Sequence, residues 1–273
     1  MCLNMVDVNV INVIKIGGNV LDEQAALSAF LTDFAALPGG KILVHGGGKI
    51  ASALGARLGL EPQYAAGRRI TDDATLDLVT MVYGGLINRQ LTARLQALGC
   101  NALGLTGADG NAIAAVKRPA GAIDYGWAGD TQPALVAAAQ VAAWLEQGLT
   151  PVFAPLTHDG QGHLLNTNAD TIASVLAQAL AAHYRVRLVF CFEKKGVLAD
   201  PGDEHSVIPV LDPGTYRQLR EKTAVSAGIL PKLDNAFAAA AAGVETVVIG
   251  SAADLEANTG LEHICGTRIR NAI

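Results

Sequence analysis

Charge is scarce in this chain of 273 residues: Asp, Glu, Lys and Arg make up 16% of it, and 20 basic against 25 acidic residues leave a net charge of -5. No run of Lys or Arg exceeds a pair, so the sequence has no electrostatic footprint for nucleic acid or an anionic lipid surface, and any anionic ligand must be met by local cations. Aromatic residues are only 5%, and the Met, Trp and Tyr residues form no pattern suited to stacking on bases. Cys2, Cys100, Cys191 and Cys265 are scattered without a CxxC pair, which excludes a zinc finger or a disulfide framework. No apolar run reaches the roughly 18 to 20 uncharged residues needed to span a bilayer; the stretch from Thr171 to Tyr184 is bounded by Asp170 and Arg185. Asp7 precedes the first Lys, so the start lacks the positive region of a secretory signal, and a cytoplasmic location is expected. What the chain does have is apolar mass, 51% of its residues, which is too much for disorder and enough for a buried core.

The apolar residues are patterned. Val8 to Ile16 reads as a buried strand running into Gly17-Gly18, and Leu27, Phe30, Leu31 and Phe34 form one stripe of a helix that begins near Asp22-Glu23. Lys41 to His45 is a second strand, and Gly46-Gly47-Gly48 opens a helix reaching about Leu58. This strand and helix alternation predicts a parallel sheet covered by helices. A hairpin is expected between Tyr64 and Thr71, then a long helical tract over Asp72 to Leu98, capped by Thr71 and kinked at Gly84-Gly85. Further strands are expected at Cys100 to Leu105, Ile113 to Lys117, Thr150 to Ala154, near Leu164, at Val186 to Phe192 and at Glu245 to Gly250. Gly266 to Ile269 reads as a final edge strand, and helices are expected at Leu135 to Glu146, from Asn168 to about His183 and at Pro231 to Ala242. No linker or internal repeat divides the chain, which therefore reads as one α/β domain.

Several polar residues stand in places that ask for an explanation. Lys15 lies near the carboxyl end of an apolar strand, where a cation needs an anion, either a ligand or an internal ion pair. Lys232 follows Pro231 at a helix start, on the positive side of the helix dipole, a local violation that a ligand would explain. Asp170 follows two Asn residues at another helix start, where an acid also complements the dipole. Arg69 could clamp a carboxylate or be solvated, and His45 reads as a packed strand-end residue. The glycines after the first two strands could offer backbone N–H groups to anions, yet neither cluster matches a Walker A loop or a G-x-G-x-x-G fingerprint.

Taken together, Lys15-Ile16-Gly17-Gly18, His45-Gly46-Gly47-Gly48, Gly67-Arg68-Arg69-Ile70-Thr71, Asn166-Thr167-Asn168-Ala169-Asp170 and Gly228-Ile229-Leu230-Pro231-Lys232 resemble, in that order, the motifs of the amino-acid kinase family. The resemblance implies a three-layer α/β/α sandwich with a mainly parallel central sheet. An N-terminal lobe, about 1–165, would hold the acylated amino acid and a C-terminal lobe, about 166–273, would hold ATP. It implies phosphorylation of the γ-carboxylate of N-acetyl-L-glutamate by ATP with Mg²⁺, in arginine biosynthesis. N-succinyl-L-glutamate, another small acid, or a non-catalytic nucleotide sensor are the alternatives. Carried over by residue, Lys15 and Lys232 would neutralise the transferring phosphoryl group and Asp170 would orient both. Gly47, Gly48, Arg69, Asn166 and Asn168 would bind the substrate, and Gly17 and Gly18 the phosphates, with no metal ligated directly by the protein.

The resemblance also places Glu193, Lys194, Lys195, Gly196, Val197, Leu198, Ala224, Val225 and Ser226 at the nucleotide, although Phe192-Glu193-Lys194-Lys195 departs from the usual Thr-Asp or Ser-Asp pair. The two lysines there would touch ATP phosphates or be solvated loop charges. Lys15 stands so near the start that the extra N-terminal helix of arginine-inhibited hexameric relatives has no room. A homodimer without arginine feedback, paired through Asp72 to Leu98 and lacking an appended regulatory domain, is therefore expected.

Overall fold

The first strand, β1 (Val10–Ile16), sends Ile11 and Val13 into one core and Ile14 and Ile16 into another, all fully buried, so the sheet around it has to be covered on both faces. The computed structural model describes residues 9–200, 202–221, 229–260 and 263–271, and within them this is how the chain is built. Eight strands make the central sheet. After β1 come β2 (Gly40–His45), β3 (Ala102–Leu105), β4 (Thr150–Phe153), β5 (Arg185–Phe192), β6 (Val210–Leu211), β7 (Thr246–Ser251) and β8 (Thr267–Ile269), in the spatial order β6-β8-β7-β5-β1-β2-β4-β3. Every pairing is parallel except that of β7 with β8.

One face is covered by α1 (Gly18–Asp22), α2 (Gln24–Ala36), α3 (Gly48–Arg57), α4 (Asp73–Val79) and α5 (Asn88–Ala97), joined by α10 (Leu255–Thr259) from the far end of the chain. Their packing residues include the expected stripe Leu27, Phe30, Leu31 and Phe34. The other face is covered by α6 (Ala138–Glu146), α7 (Ala169–Ala181), α8 (Pro213–Glu221) and α9 (Leu230–Ala241). The result is the three-layer α/β/α sandwich with a mainly parallel sheet.

Some local expectations are corrected. Asp72, not Thr71, caps α4: its side chain accepts from the Thr75 N–H at 2.8 Å, while Thr71 is buried and its carbonyl accepts from the Trp127 N–H at 2.7 Å. Between α4 and α5 the tract stays helical and widens into a π-helix over Thr80–Ile87, so Gly84 and Gly85 sit in wider turns where a kink was expected. The helix near Asp22 is two helices, α1 and α2, broken by the extended backbone of Glu23. Regular helix α6 starts at Ala138 after a 3₁₀ turn at Pro133–Leu135.

Of Ile113 to Lys117 only Val116–Lys117 forms a strand. It lies in a separate small sheet with Ala128–Asp130, Leu164–Thr167 and Leu156–His158. Strand β8 is not the edge expected of Gly266 to Ile269, because β6 pairs outside it. Tyr64–Ala65 and Arg68–Arg69 form the expected hairpin.

Candidate active site

Lys15 shares its face of β1 with Ile11 and Val13, which turns it toward α7 and α9 at the carboxyl end of the sheet. Asp170 stands there in the first turn of α7, held by Asn168, whose Oδ1 accepts from the Asp170 and Thr171 N–H groups at 2.8 and 3.1 Å. Lys232 enters from the first turn of α9. The ammonium groups of Lys15 and Lys232 both donate to Oδ1 of Asp170, at 2.8 and 3.0 Å. Each lysine is only 7% exposed. Burial alone would raise the Asp170 carboxyl, but the two ammonium groups outweigh it and hold the group well below the usual carboxylate range. Lys232 is lowered to about 8, first by burial and then by the charge of Lys15, with Asp170 opposing both. Its ammonium also lies over the rings of Phe190 and Phe192, at 5.3 and 5.9 Å. Two cations against one carboxylate leave one positive charge in excess, facing a cleft of about 430 Å³ lined also by Gly17, Gly18, Gly48, Lys49, Tyr64 and Glu193.

Beside this cleft, and sharing Gly48 and Tyr64 with it, is a smaller cavity of about 200 Å³ whose walls include Gly46, Gly47, Arg68, Arg69, Asn166 and Asn168. Arg69 is 7% exposed and donates to the Gly48 carbonyl at 3.0 Å, to Ser52 Oγ at 2.7 Å and to the Tyr64 hydroxyl. All three acceptors are neutral, and among the described residues no carboxylate pairs with it. A buried guanidinium with only neutral partners is suited to an incoming carboxylate. Asn166 is aimed by its bond to Thr71 Oγ1 at 3.0 Å. Gly47 caps α3 with φ +156°, and a Cβ there would meet Cδ1 of Ile87 at 2.4 Å, so only glycine fits. A Cβ on Gly48 would meet nothing within 4 Å, as expected of a wall shared by two cavities.

The sequence model of the amino acid kinase family matches residues 11–251. The chain belongs to the amino acid kinase family. An acetylglutamate kinase from Parabacteroides distasonis is 52% identical over 247 residues, 90% of this chain and 96% of that protein. One from Methanopyrus kandleri is 40% identical over 87% of this chain and 93% of its own length. Among solved structures, N-acetylglutamate synthase from Neisseria gonorrhoeae complexed with coenzyme A and N-acetylglutamate has a TM-score of 0.81 at 22% identity. It covers 98% of this chain, which spans 61% of that longer one. Carbamate kinase from Giardia lamblia bound to AMP-PNP has a TM-score of 0.65 at 15% identity, over 97% and 99%. These two likenesses concern the fold.

As a member of a kinase family the chain uses ATP. Among the described residues, the carboxylates that a nucleotide-bound Mg²⁺ would meet at the cleft are Glu193 and Asp170. Glu193 lines the cleft and Asp170 is engaged by two lysines, and among the described residues no three His, Cys, Asp or Glu side chains converge. Of the atypical segment, Glu193 reaches the cleft, whereas Lys194 pairs with the exposed Glu204 and Lys195 is exposed. Gly196 and Val197 are buried away from the cleft walls: the Val197 N–H donates to Thr267 Oγ1 at 2.8 Å, and a Cβ on Gly196 would meet that same oxygen at 2.7 Å. Leu198 bridges to Val207. Ala224, Val225 and Ser226 lie outside the described residues. Tyr64 and Lys49, which line the cavities, and Ser52, which holds Arg69, were missed from the sequence, because only the hairpin and α3 bring them there.

Proposed function

We propose that this kinase transfers the γ-phosphoryl group of ATP to the γ-carboxylate of N-acetyl-L-glutamate, yielding N-acetyl-L-glutamyl 5-phosphate and ADP, a step of arginine biosynthesis. The observation that carries the proposal is the Lys15–Asp170–Lys232 cluster facing a cleft whose neighbouring cavity holds an unneutralised Arg69. The high identity to acetylglutamate kinases supports the choice of substrate.

Arg69 would take the α-carboxylate and Asn166 a polar group of the acylated backbone, leaving the γ-carboxylate directed along the shared Gly48 wall toward the cleft. That carboxylate is ionised at neutral pH and needs no general base, so positioning and charge neutralisation remain as the tasks. Lys15 and Lys232 would oppose the charge that spreads over the phosphoryl oxygens, and Asp170 holds them fixed before the substrates arrive. Gly17 and Gly18 would present backbone N–H groups to the phosphates. Mg²⁺ bound to ATP would neutralise further phosphate charge.

In this reading the acylated amino acid belongs to residues of about 1–165 and ATP to those of about 166–273. The chain pairs as a homodimer through the Asp72 to Leu98 tract, where Met81 and Leu86 stand 57% and 41% exposed. A cytoplasmic location is consistent with the finding that no described helix is long and apolar enough to cross a membrane.

One observation favours N-succinyl-L-glutamate as a second reading. Arg68 lines the smaller cavity, and its partner Asp130, 3.7 Å away, is already held by Arg118 at 2.5 and 2.9 Å, so a further carboxylate could engage Arg68. The test is coupled ADP release with MgATP and, separately, N-acetyl-L-glutamate, N-succinyl-L-glutamate, L-glutamate and L-aspartate, with hydroxylamine trapping of the acyl phosphate. Turnover of one acylated glutamate supports the reading and names the acyl group. Silence from folded protein across the panel would redirect it to another small acid or to a nucleotide sensor without turnover.

A further inference from the structure

His45 ends β2 immediately before the three glycines, and its ring is fully buried. Both ring nitrogens are engaged. Nδ1 lies 2.7 Å from the Gly46 carbonyl oxygen, which can only accept, so Nδ1 carries the proton. Nε2 lies 3.2 Å from Nδ2 of Asn88, and that same amide nitrogen donates to the Val152 carbonyl on β4 at 2.8 Å. Because Val152 requires a donor, the Asn88 amide has one orientation, and Nε2 is left as the acceptor. The two ends of the ring thus agree on a single neutral tautomer, and burial lowers the imidazole to about 4, so it stays neutral throughout the physiological range.

The consequence lies across one peptide bond. In a trans peptide the C=O and the following N–H point in opposite directions, so a Gly46 carbonyl pulled toward His45 turns the Gly47 N–H away from the ring. Gly46, Gly47 and Gly48 all line the smaller cavity, and among the described residues neither the Gly47 nor the Gly48 N–H has an acceptor, whereas the Gly46 N–H is taken by the Ile16 carbonyl at 3.0 Å. Gly47 cannot acquire a side chain to stiffen its own loop, since φ +156° and the contact with Ile87 forbid one. The stiffness has to come from outside the loop.

We infer that His45, oriented by Asn88, is a positioning residue for the proposed kinase reaction: it clamps the Gly46–Gly47 peptide so that the Gly47 N–H faces the bound acylated amino acid as a fixed anion donor. The inference rests on the proposed reaction for its substrate. It gives His45 no contact with the reacting atoms and no proton to transfer.

The test compares His45→Asn, whose amide N–H replaces Nδ1–H, with His45→Gln, whose amide reaches the Nε2 position instead. The wild-type chain is first shown to turn over one N-acylated glutamate, and that control separates failure of the proposed reaction from failure of the clamp. The Gln variant should lose about 10- to 100-fold in kcat/KM for the acceptor, the range for one hydrogen bond to a charged group. Its ATP affinity by calorimetry should stay within about threefold, and the Asn variant should recover most of the loss. Equal losses in the two variants, or equal weakening of ATP and acceptor, would mark a packing residue and overturn the inference. Should either variant fail to fold, nitrogen-15 NMR of the wild-type chain decides. The His45 ring must be protonated at Nδ1 and bare at Nε2 at pH 7, and the Gly47 amide must shift when N-acetyl-L-glutamate is added. The opposite tautomer, or a Gly47 amide indifferent to the acceptor, refutes the clamp.

Discussion

Replacing Asp170 by Asn changes one oxygen to an amide nitrogen and removes the only carboxylate that Lys15 and Lys232 touch among the described residues. Both ammonium groups bond the same Oδ1, at 2.8 and 3.0 Å, so their nitrogens lie within about 6 Å of each other. At an effective dielectric constant of about 20, two unit charges at that separation repel by about 3 kcal/mol once nothing lies between them. Lys232 is already lowered to about 8 with the carboxylate opposing that shift, so losing the carboxylate lowers the group further and leaves less of its positive charge at pH 7.5. The transition state then lacks part of its opposing charge, and kcat/KM should fall by about 10² to 10³.

The assay is ADP release with hydroxylamine trapping, run from pH 6 to 9 on the wild type, Asp170→Asn and Asp170→Glu, after each is shown to be folded by thermal denaturation. In the proposed mechanism Lys232 acts in its protonated form, so wild-type kcat/KM should decline as pH rises through about 8. In Asp170→Asn that decline should move to lower pH. An Asn variant within threefold of the wild type at pH 7.5, with an unmoved pH profile, would refute the role assigned to Asp170.

Three further outcomes are expected. Arg69→Ala removes the buried cation of the smaller cavity and should raise the KM for the acylated amino acid by about 10- to 100-fold, the range of a charged hydrogen bond, while the calorimetric ATP affinity stays put; equal weakening of both would show that Arg69 only supports the loop. Gly47→Ala should destabilise the fold by about 1–3 kcal/mol in chemical denaturation, because of the positive φ and the 2.4 Å approach to Ile87. Gly48→Ala, which meets nothing, should keep its stability and lose turnover instead. Lys232 deprotonates near 8 in the folded chain and near 10.4 unfolded, so between those values the unfolded chain holds more protons and wild-type stability should rise with pH. Urea titrations at pH 8 and 10 should show that slope in the wild type and a smaller one in Lys232→Met, since Lys41 is lowered by burial as well.

The helical stripe of α2, the buried strands and the glycine turns after β1 and β2 were legible because each depends on periodicity within one segment. The places where reading failed are those where a distant segment took over. Thr71 reads as a cap until Trp127 claims its carbonyl and leaves capping to Asp72, and β8 reads as an edge until the two-residue β6 pairs outside it. The site divides in the same way. Lys15 and Lys232 could be singled out from the sequence alone, because a cation on an apolar strand and a cation at a helix start each break a local rule. Their ordered motifs were enough to point to the family.

That both lysines end on one oxygen of Asp170, that Arg69 finds only neutral partners, and that His45 holds a glycine peptide are not properties of any segment. They arise where β1, β2, the hairpin, α7 and α9 meet, and the separations of 155 and 62 residues from Asp170 to Lys15 and Lys232 are closed only by packing the two helices on the same face of the sheet. Sequence determined which groups would need partners, since burial cost is a property of the residue and its local pattern. Tertiary structure decided which partners they received, since electrostatics and hydrogen bonding depend on distances that no local pattern contains.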